Sequence, residues 1–286
     1  MRAVVSRLVQ LARLNTRVAA LALQGRWLTP AVVAAGYDEV APTYNTTWHQ
    51  HLRPVTDDLL QRLPRGLTGV ILDLGSGTGY TARCLAHANP EATVVAVDIS
   101  PAMLERARRE APANLRCVVC DMLDFVRSQS TGNAGMIVST WALGYSQPAR
   151  LIRECSRLLP GGARLAFIVN YADTLAPVFR SFQRCMLAFP GRLRLAAWPR
   201  FPKDWSFLQH RLCQSGFAVE WHEDGARKIA APAGALLPWL RQTGILAGFE
   251  GMLELSGPVA ALFETEMAES RDDIYHHFAT AIARKL

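Results

Sequence analysis

The amino-acid sequence predicts an α/β fold, a mostly parallel sheet of seven strands with helices on both faces and a helical cap. Three observations carry that expectation. From residue 69 onward, short β-branched apolar runs alternate with stretches of helical periodicity, as βαβ units do along a chain. The first run ends in VILDLGSGTGY (70–80), where glycine occupies every second position of the turn. A chain of 286 residues, half of them apolar and 19% charged, has the size and composition to bury a large core.

The first 35 residues stand apart as a basic extension. Residues 1–37 contain Arg2, Arg7, Arg13, Arg17 and Arg26 and neither Asp nor Glu. Val4, Leu8, Leu11, Leu14, Val18 and Leu21 recur at three- and four-residue spacing, which makes an amphipathic helix with the arginines mostly off its apolar face. Three uses are open to such a helix: packing on its own domain or a second copy, membrane-surface contact through residues 1–30, or targeting. Arginines interrupt the apolar stretch, so it is not a secretory signal. The chain has no run of about 18 apolar residues, which argues against a transmembrane helix. The expected compartment is a reducing cytoplasm, with membrane-peripheral attachment as the variant. Six cysteines are scattered; Cys117 and Cys120 form a C-x-x-C without a second pair or a histidine cluster, so no metal is expected.

Five parallel strands are expected at GVILDLG, ATVVAVDIS, LRCVVCD, GMIVSTW and RLAFIVNY, with helices starting near Thr78, after Ser100, near Leu123 and at Pro148. Ser100 followed by Pro101 suits an N-cap with proline in the first turn. LLPGGARL (158–165) turns a helix into the fifth strand. Beyond Tyr171 the pattern changes to helical cap insertions at about 172–215 and 230–270, separated by a sixth strand in GFAVEWHEDG. The end, DDIYHHFATAIARKL, closes the sheet. Residues 36–286 are thus one domain with helical additions.

Glycines at Gly75, Gly77 and Gly79 let the backbone turn tightly and approach a ligand closely. Asp98 ends the next strand, where a carboxylate can accept hydrogen bonds from ribose hydroxyls. Asp121 ends the third, followed by Met122 and Leu123, a polar-then-apolar arrangement suited to an adenine edge and ring. Three successive strands therefore deliver ligand-facing groups at their carboxyl ends, the crevice where open α/β sheets bind.

In order, VILDLGSGTGY, VVAVDIS-PAML, CVVCDMLDF, IVSTWALGY and LLPGGARL resemble the motifs of class I S-adenosylmethionine-dependent methyltransferases, over roughly residues 36–171. The resemblance implies a Rossmann-like sheet and S-adenosylmethionine as cofactor, with S-adenosylhomocysteine as product. It implies that Asp73, Gly75, Ser76, Gly77 and Gly79 surround the methionine moiety and that Asp98 binds the ribose with Ile99 against the adenine. Asp121 and Met122 would hold the adenine edge, with Thr140 at the end of the fourth strand. GYDEVAPTYNTTWHQHLRPVTDDLL (36–60) resembles the lid helix of the small-molecule members of quinone and biotin synthesis, which implies that Tyr44 and Arg53 close over the cofactor. STWALGYSQPARLIRECSRLLPGG and the tail are similar to the malonyl-carrier-protein methyltransferases; the basic extension departs from them.

Methyl transfer from a sulfonium is an in-line displacement, so alignment and water exclusion are the main tasks. A carboxylate acceptor needs no base, whereas a phenol or acidic carbon benefits from one. His49, His51 and Tyr145 are the catalytic candidates, with His222 a further histidine. Trp141, Tyr145, Asn170 and Tyr171 are expected to line the acceptor pocket. Phe179, Phe182, Phe189, Trp198, Trp205 and Trp239, interleaved with Arg180, Arg184, Arg192, Arg194 and Arg200, suggest an apolar or aromatic acceptor with an anionic group, or an acyl chain on an acidic carrier. The charge of +7 and the pI near 9.4 also suit nucleic acid. STWALGY lacks the N/D/S-P-P-Y/F turn used for base amines, so an RNA methyltransferase is the lesser alternative, beside a cofactor-binding scaffold without activity.

Overall fold

The computed structural model describes residues 2–196, 201–230, 236–247, 249–270 and 273–286, with side chains from residue 8 onward except at 249. Two compact units divide the chain: Asn45–Thr174, Pro199–Arg227 and His276–Leu286 form a sheet unit, and Met1–Tyr44, Leu175–Trp198 and Lys228–Tyr275 form a helical unit.

Seven strands build the sheet: β1 (Gly69–Leu74), β2 (Ala92–Asp98), β3 (Leu115–Val119), β4 (Met136–Thr140), β5 (Arg164–Asn170), β6 (Phe217–Lys228) and β7 (Tyr275–Lys285), in the order β3-β2-β1-β4-β5-β7-β6. β1 pairs in parallel with β2 and β4, with Asp73 opposite both Ala96 and Val138. β7 runs antiparallel to β5, with Asn170 opposite Phe278, so the start of β7 lies beside the carboxyl end of β5.

Period-two alternation splits the strands between two cores. Leu72, Leu74, Ile137, Leu165, Phe167, Val169, Ala279 and Ala281 join one buried cluster. Ile71, Met136, Val138, Ala166, Ile168, Phe278 and Ile282 join the other. Helices α3 (Gln50–Arg62), α4 (Tyr80–Ala88) and α5 (Pro101–Arg109) feed the second core; α6 (Met122–Ser128), α7 (Pro148–Leu158) and α9 (Trp205–Gln214) feed the first. Cys117 and Cys120 pack against opposite cores, which separates the two thiols of the C-x-x-C. Ser100 caps α5 by accepting from Met103 N at 3.1 Å. α4 begins at Tyr80 rather than near Thr78, because Gly79 takes φ 80° and keeps the turn open for two more residues.

The helical unit holds α1 (Arg2–Leu23), α2 (Pro30–Val40), α8 (Ala176–Ala188), α10 (Leu236–Thr243), α11 (Phe249–Met252) and α12 (Gly257–Glu269). Leu21 is buried with Leu193 and Ala196, Leu14 and Met186 pack against them, and Arg17 donates twice to Leu193 O at 3.0 and 2.8 Å. Arg184 pairs with Glu266, and Arg192 and Arg194 with Glu254 at 3.5 and 2.7 Å. Three of the arginines expected to greet an anionic group thus have acidic partners in their own unit. Of the aromatics named with them, Phe182 is buried and Trp205 belongs to the sheet unit, while Trp198 and Arg200 lie outside the described residues.

The glycine turn separates two costs. A Cβ on Gly75 would sit 2.1 Å from Ala142 Cβ at φ 76°, whereas one on Gly132 (φ 71°) meets nothing within 4 Å. Gly75→Ala is expected to lose about 2–5 kcal/mol of unfolding free energy and Gly132→Ala about 1–2 kcal/mol, measured by chemical denaturation. Equal losses would mean that the contact with Ala142 is not fixed.

Candidate functional site

The site grows from the carboxyl end of β1. Gly75, Gly77 and Gly79 all take left-handed backbone, at φ 76°, 53° and 80°. Gly75 N and Ser76 N donate to Val97 O at 2.8 and 3.0 Å, which clamps the turn to the end of β2. A Cβ on Gly75 would also lie 3.3 Å from Met122 Cε, and one on Gly79 would lie 2.6 Å from Ala107 Cβ. Gly77 differs: a Cβ there would meet nothing within 4 Å, so that side of the turn is open. Thr78 Oγ1 donates to Asn45 Oδ1 at 2.6 Å, which ties the turn to the short helical segment Asn45–His49 ahead of α3.

Three carboxylates stand at the ends of β1, β2 and β3. Asp73 is fully buried, receives Ser76 Oγ at 2.8 Å on Oδ2, and leaves buried Oδ1 without a hydrogen-bond partner. Burial, with the nearby Asp98 charge, pushes its carboxyl up to about 7 although Ser76 opposes the shift. Asp98 accepts from Gly77 N at 2.7 Å and Ser100 N at 2.9 Å, so it shapes the turn and starts α5; Ile99 beside it is half-buried. Asp121 caps α6 through Oδ1, which accepts from Leu123 N and Asp124 N at 2.8 and 3.1 Å. Helix capping is therefore a present duty of Asp121 beside the adenine contact expected of it.

The ends of β4, β5 and β7 form a second wall. Thr140 Oγ1 meets Thr81 Oγ1 at 2.9 Å. Trp141 follows at φ 66°, a left-handed backbone that bulky residues rarely adopt and that marks functional sites when it occurs. Its indole Nε1 donates to Thr56 Oγ1 at 3.0 Å, and its ring stacks on His276 at 4.9 Å and meets Phe278 edge-on at 5.0 Å. His276 also packs against Trp48 at 5.4 Å and His51 at 5.7 Å. Burial holds His51 down to about 4, with the Arg227 charge adding to it, and His276 down to about 3, with His51 and His277 adding to it. His51 Nε2, His276 Nδ1 and Asn170 Oδ1 are buried without hydrogen-bond partners among the described residues. Such atoms cost about 1–3 kcal/mol each until a ligand satisfies them.

The remaining candidates have other contacts. Tyr145 meets Phe201 edge-on at 5.3 Å. Tyr171 donates its hydroxyl to Asp224, and burial followed by that bond raises its pKa. His49 tilts against Tyr80 at 4.6 Å, and burial and then Arg53 lower its pKa. Arg53 Nε donates to Tyr80 Oη at 2.9 Å and pairs with Asp57 at 3.4 Å, while Tyr80 donates to Asp57. That engagement is at the surface between α3 and α4. Tyr44 belongs to the helical unit, edge-on to Tyr37 at 6.4 Å. His222 stacks on Trp205 at 3.7 Å. Trp48, Thr56 and His276 were missed by sequence reasoning; for His276, next to His277 in an alternating strand, no local signal distinguishes it from a packed residue. No group of three or more His, Cys, Asp or Glu among the described residues is arranged to hold a metal ion.

The donor set suits the nucleoside sulfonium expected from the motifs. Asp73 Oδ1 is an unmatched buried acceptor beside a glycine cradle that admits no side chain at Gly75. Without a bound cation, Asp73 carries its own pH signature. Its folded-state pKa lies above the unfolded value of 3.8, so the folded state binds the extra proton and stability falls as pH rises from about 4 to about 7. Asp73→Asn removes this slope: between those pH values the wild type should lose on the order of a few kcal/mol relative to the variant, read from urea unfolding. Parallel pH profiles would contradict the burial of the charge.

Comparison with known proteins places the chain among relatives. Residues 71–162 match the methyltransferase domain family. The malonyl-[acyl-carrier protein] O-methyltransferase of Alcanivorax borkumensis is 34% identical over 160 residues, 54% of this chain and 53% of that protein. The trans-aconitate 2-methyltransferase of Methylobacterium nodulans is 27% identical over 77% of this chain and 85% of its own length. The chain thus spans about half the length of the Alcanivorax relative. The geranyl diphosphate C-methyltransferase of Streptomyces coelicolor A3(2) shares the fold, with a TM-score of 0.52 at 16% identity over 83% of this chain and 80% of that one. Residues 71–162 thus carry a methyltransferase domain, and the ordered motifs on the sheet β3-β2-β1-β4-β5-β7-β6 resemble those of the class I S-adenosylmethionine-dependent methyltransferases.

Proposed function

We propose that this chain transfers the methyl group of S-adenosylmethionine to a small-molecule acceptor, and that the acceptor atom is a carboxylate oxygen. The buried, unpartnered nitrogens of His51 and His276 beside Trp141 carry the proposal. The cofactor supplies an electrophilic methyl on a sulfonium. Asp73 and the Gly75–Gly79 turn hold its methionine part, with the Asp73 carboxylate opposite the ammonium. Asp98 takes the ribose hydroxyls, and Asp121 with Met122 takes the adenine edge. Trp141, Trp48 and Phe278 give the acceptor an apolar wall that excludes water, and the neutral imidazoles offer its polar end N–H hydrogen bonds.

The acid–base state of the pocket favours an acceptor that is already anionic. With pKa values of about 4 and about 3, His51 and His276 are neutral at pH 7 and weak as proton acceptors. A phenol with pKa near 10 would yield its proton to neither, whereas a carboxylate needs no deprotonation. Each neutral ring can donate one N–H to that carboxylate. The malonyl and aconitate acceptors in the relatives' names support the same class. A carrier-bound acyl acid is the second reading, favoured by the Alcanivorax similarity.

Free dicarboxylates, aromatic acids, phenols and a malonyl-loaded acyl carrier protein are incubated with the chain and the cofactor, and products are read by mass spectrometry. Base-labile methyl esters are expected from acids and none from phenols; methylation at a phenol oxygen or at carbon would overturn the carboxylate assignment. Asp98→Ala, checked for retained circular dichroism, should weaken calorimetric cofactor binding by at least about tenfold, the worth of a hydrogen bond to a charged group. Unchanged affinity would contradict the ribose role.

A further inference from the structure

Helix α1 presents an apolar face with nothing from the described residues upon it. Of the nine large apolar side chains exposed among the described residues, six fall within the first 27 positions: Leu8 (60%), Val9 (45%), Leu11 (39%), Val18 (37%), Leu23 (90%) and Trp27 (49%). The helix already has an anchored inner side, on which Leu14 and Leu21 pack toward Leu193 and Arg17 binds Leu193 O. Leu8, Leu11, Val18 and Ala19 recur on the outer side at three-, seven- and eight-residue intervals, with small or uncharged Ala12, Asn15 and Thr16 between them. One helix therefore carries two apolar edges, and only one is covered.

Charge selects the occupant. Residues 1–37 hold five arginines and no acid, and of these Arg13 and Arg26 are exposed. A second copy seated on this face would bring two such cationic segments together, which disfavours self-association. An anionic bilayer accepts both features at once: apolar side chains enter the acyl boundary while arginines reach the headgroup phosphates, and exposed Trp27 is of the type that settles at that boundary. No helix among the described residues is long and apolar enough to cross a membrane, so the contact lies along the surface.

We infer that α1 docks this chain on anionic lipid surfaces through Leu8, Leu11, Val18 and Leu23, with Arg13 and Arg26 on the headgroups. The inference is independent of the acceptor chemistry. The full chain is mixed with phosphatidylcholine vesicles containing phosphatidylglycerol at roughly one part in three, or none, and bound protein is measured by sedimentation. Binding to the anionic vesicles should be at least about tenfold tighter than to the neutral ones, and weaker by a similar factor in the double variant Leu8→Glu, Leu11→Glu. Cofactor affinity of that variant, measured by calorimetry, should equal the wild type's, which shows that it is folded. Absence of anionic-vesicle binding overturns the inference, as does equal binding by a folded variant. A concentration-dependent dimer in light scattering that the variant abolishes also overturns it, and assigns the face to a second copy.

Discussion

Everything around the crevice answers to one constraint: a carboxylate buried without a counter-charge at the end of the central strand. Asp73 is enclosed by β2 and β4 on either side, with Ser76 the one side chain among the described residues that hydrogen-bonds it. Burying that group is expensive, and the fold meets the expense by keeping it partly protonated rather than paired. A cationic ligand in the turn would supply the missing partner. The left-handed glycines, the clamp onto Val97 O and the contact of Gly75 with Ala142 all serve to keep backbone, instead of side chains, next to that carboxylate.

The antiparallel β7 extends the same crevice sideways. Because its first residues lie beyond Asn170, His276 arrives next to Trp141, and helix α3 brings His51 and Thr56 to the same rings. The left-handed backbone of Trp141 is what turns its indole toward Thr56 and His276. On the proposed reading, one wall of the crevice binds a cation and the neighbouring wall an anion, with the methyl group between them. The two walls also titrate in opposite senses, since burial raises the pKa of Asp73 and lowers those of the imidazoles.

Much of this was legible in the sequence, for identifiable reasons. Strands β1 to β5 announce themselves by β-branched runs, several of them bounded by Gly75, Ser100 or Gly162, residues with strong local preferences. The three glycines and the Ser100 cap behave as their chemistry dictates. What was not legible depends on distant neighbours. Arg53 finds Tyr80 and Asp57 because α3 lies along α4, which no spacing within 36–60 reveals. His276 gains its neighbours from a strand pairing across the sheet. The periodicity of α1 gives an apolar stripe, but only the packing of Leu193 and Ala196 decides that Leu14 and Leu21 turn inward while Leu8, Leu11 and Val18 face out.

The central claim is that Asp73 awaits the ammonium of S-adenosylmethionine, and proton linkage tests it directly. Cofactor binding is measured by calorimetry at about pH 6.5 in buffers of differing ionisation enthalpy, where the carboxyl of the free protein is largely protonated and the cofactor's amine already charged. The account predicts release of a large fraction of one proton per cofactor bound, absent in Asp73→Asn. Binding enthalpies independent of the buffer would contradict it.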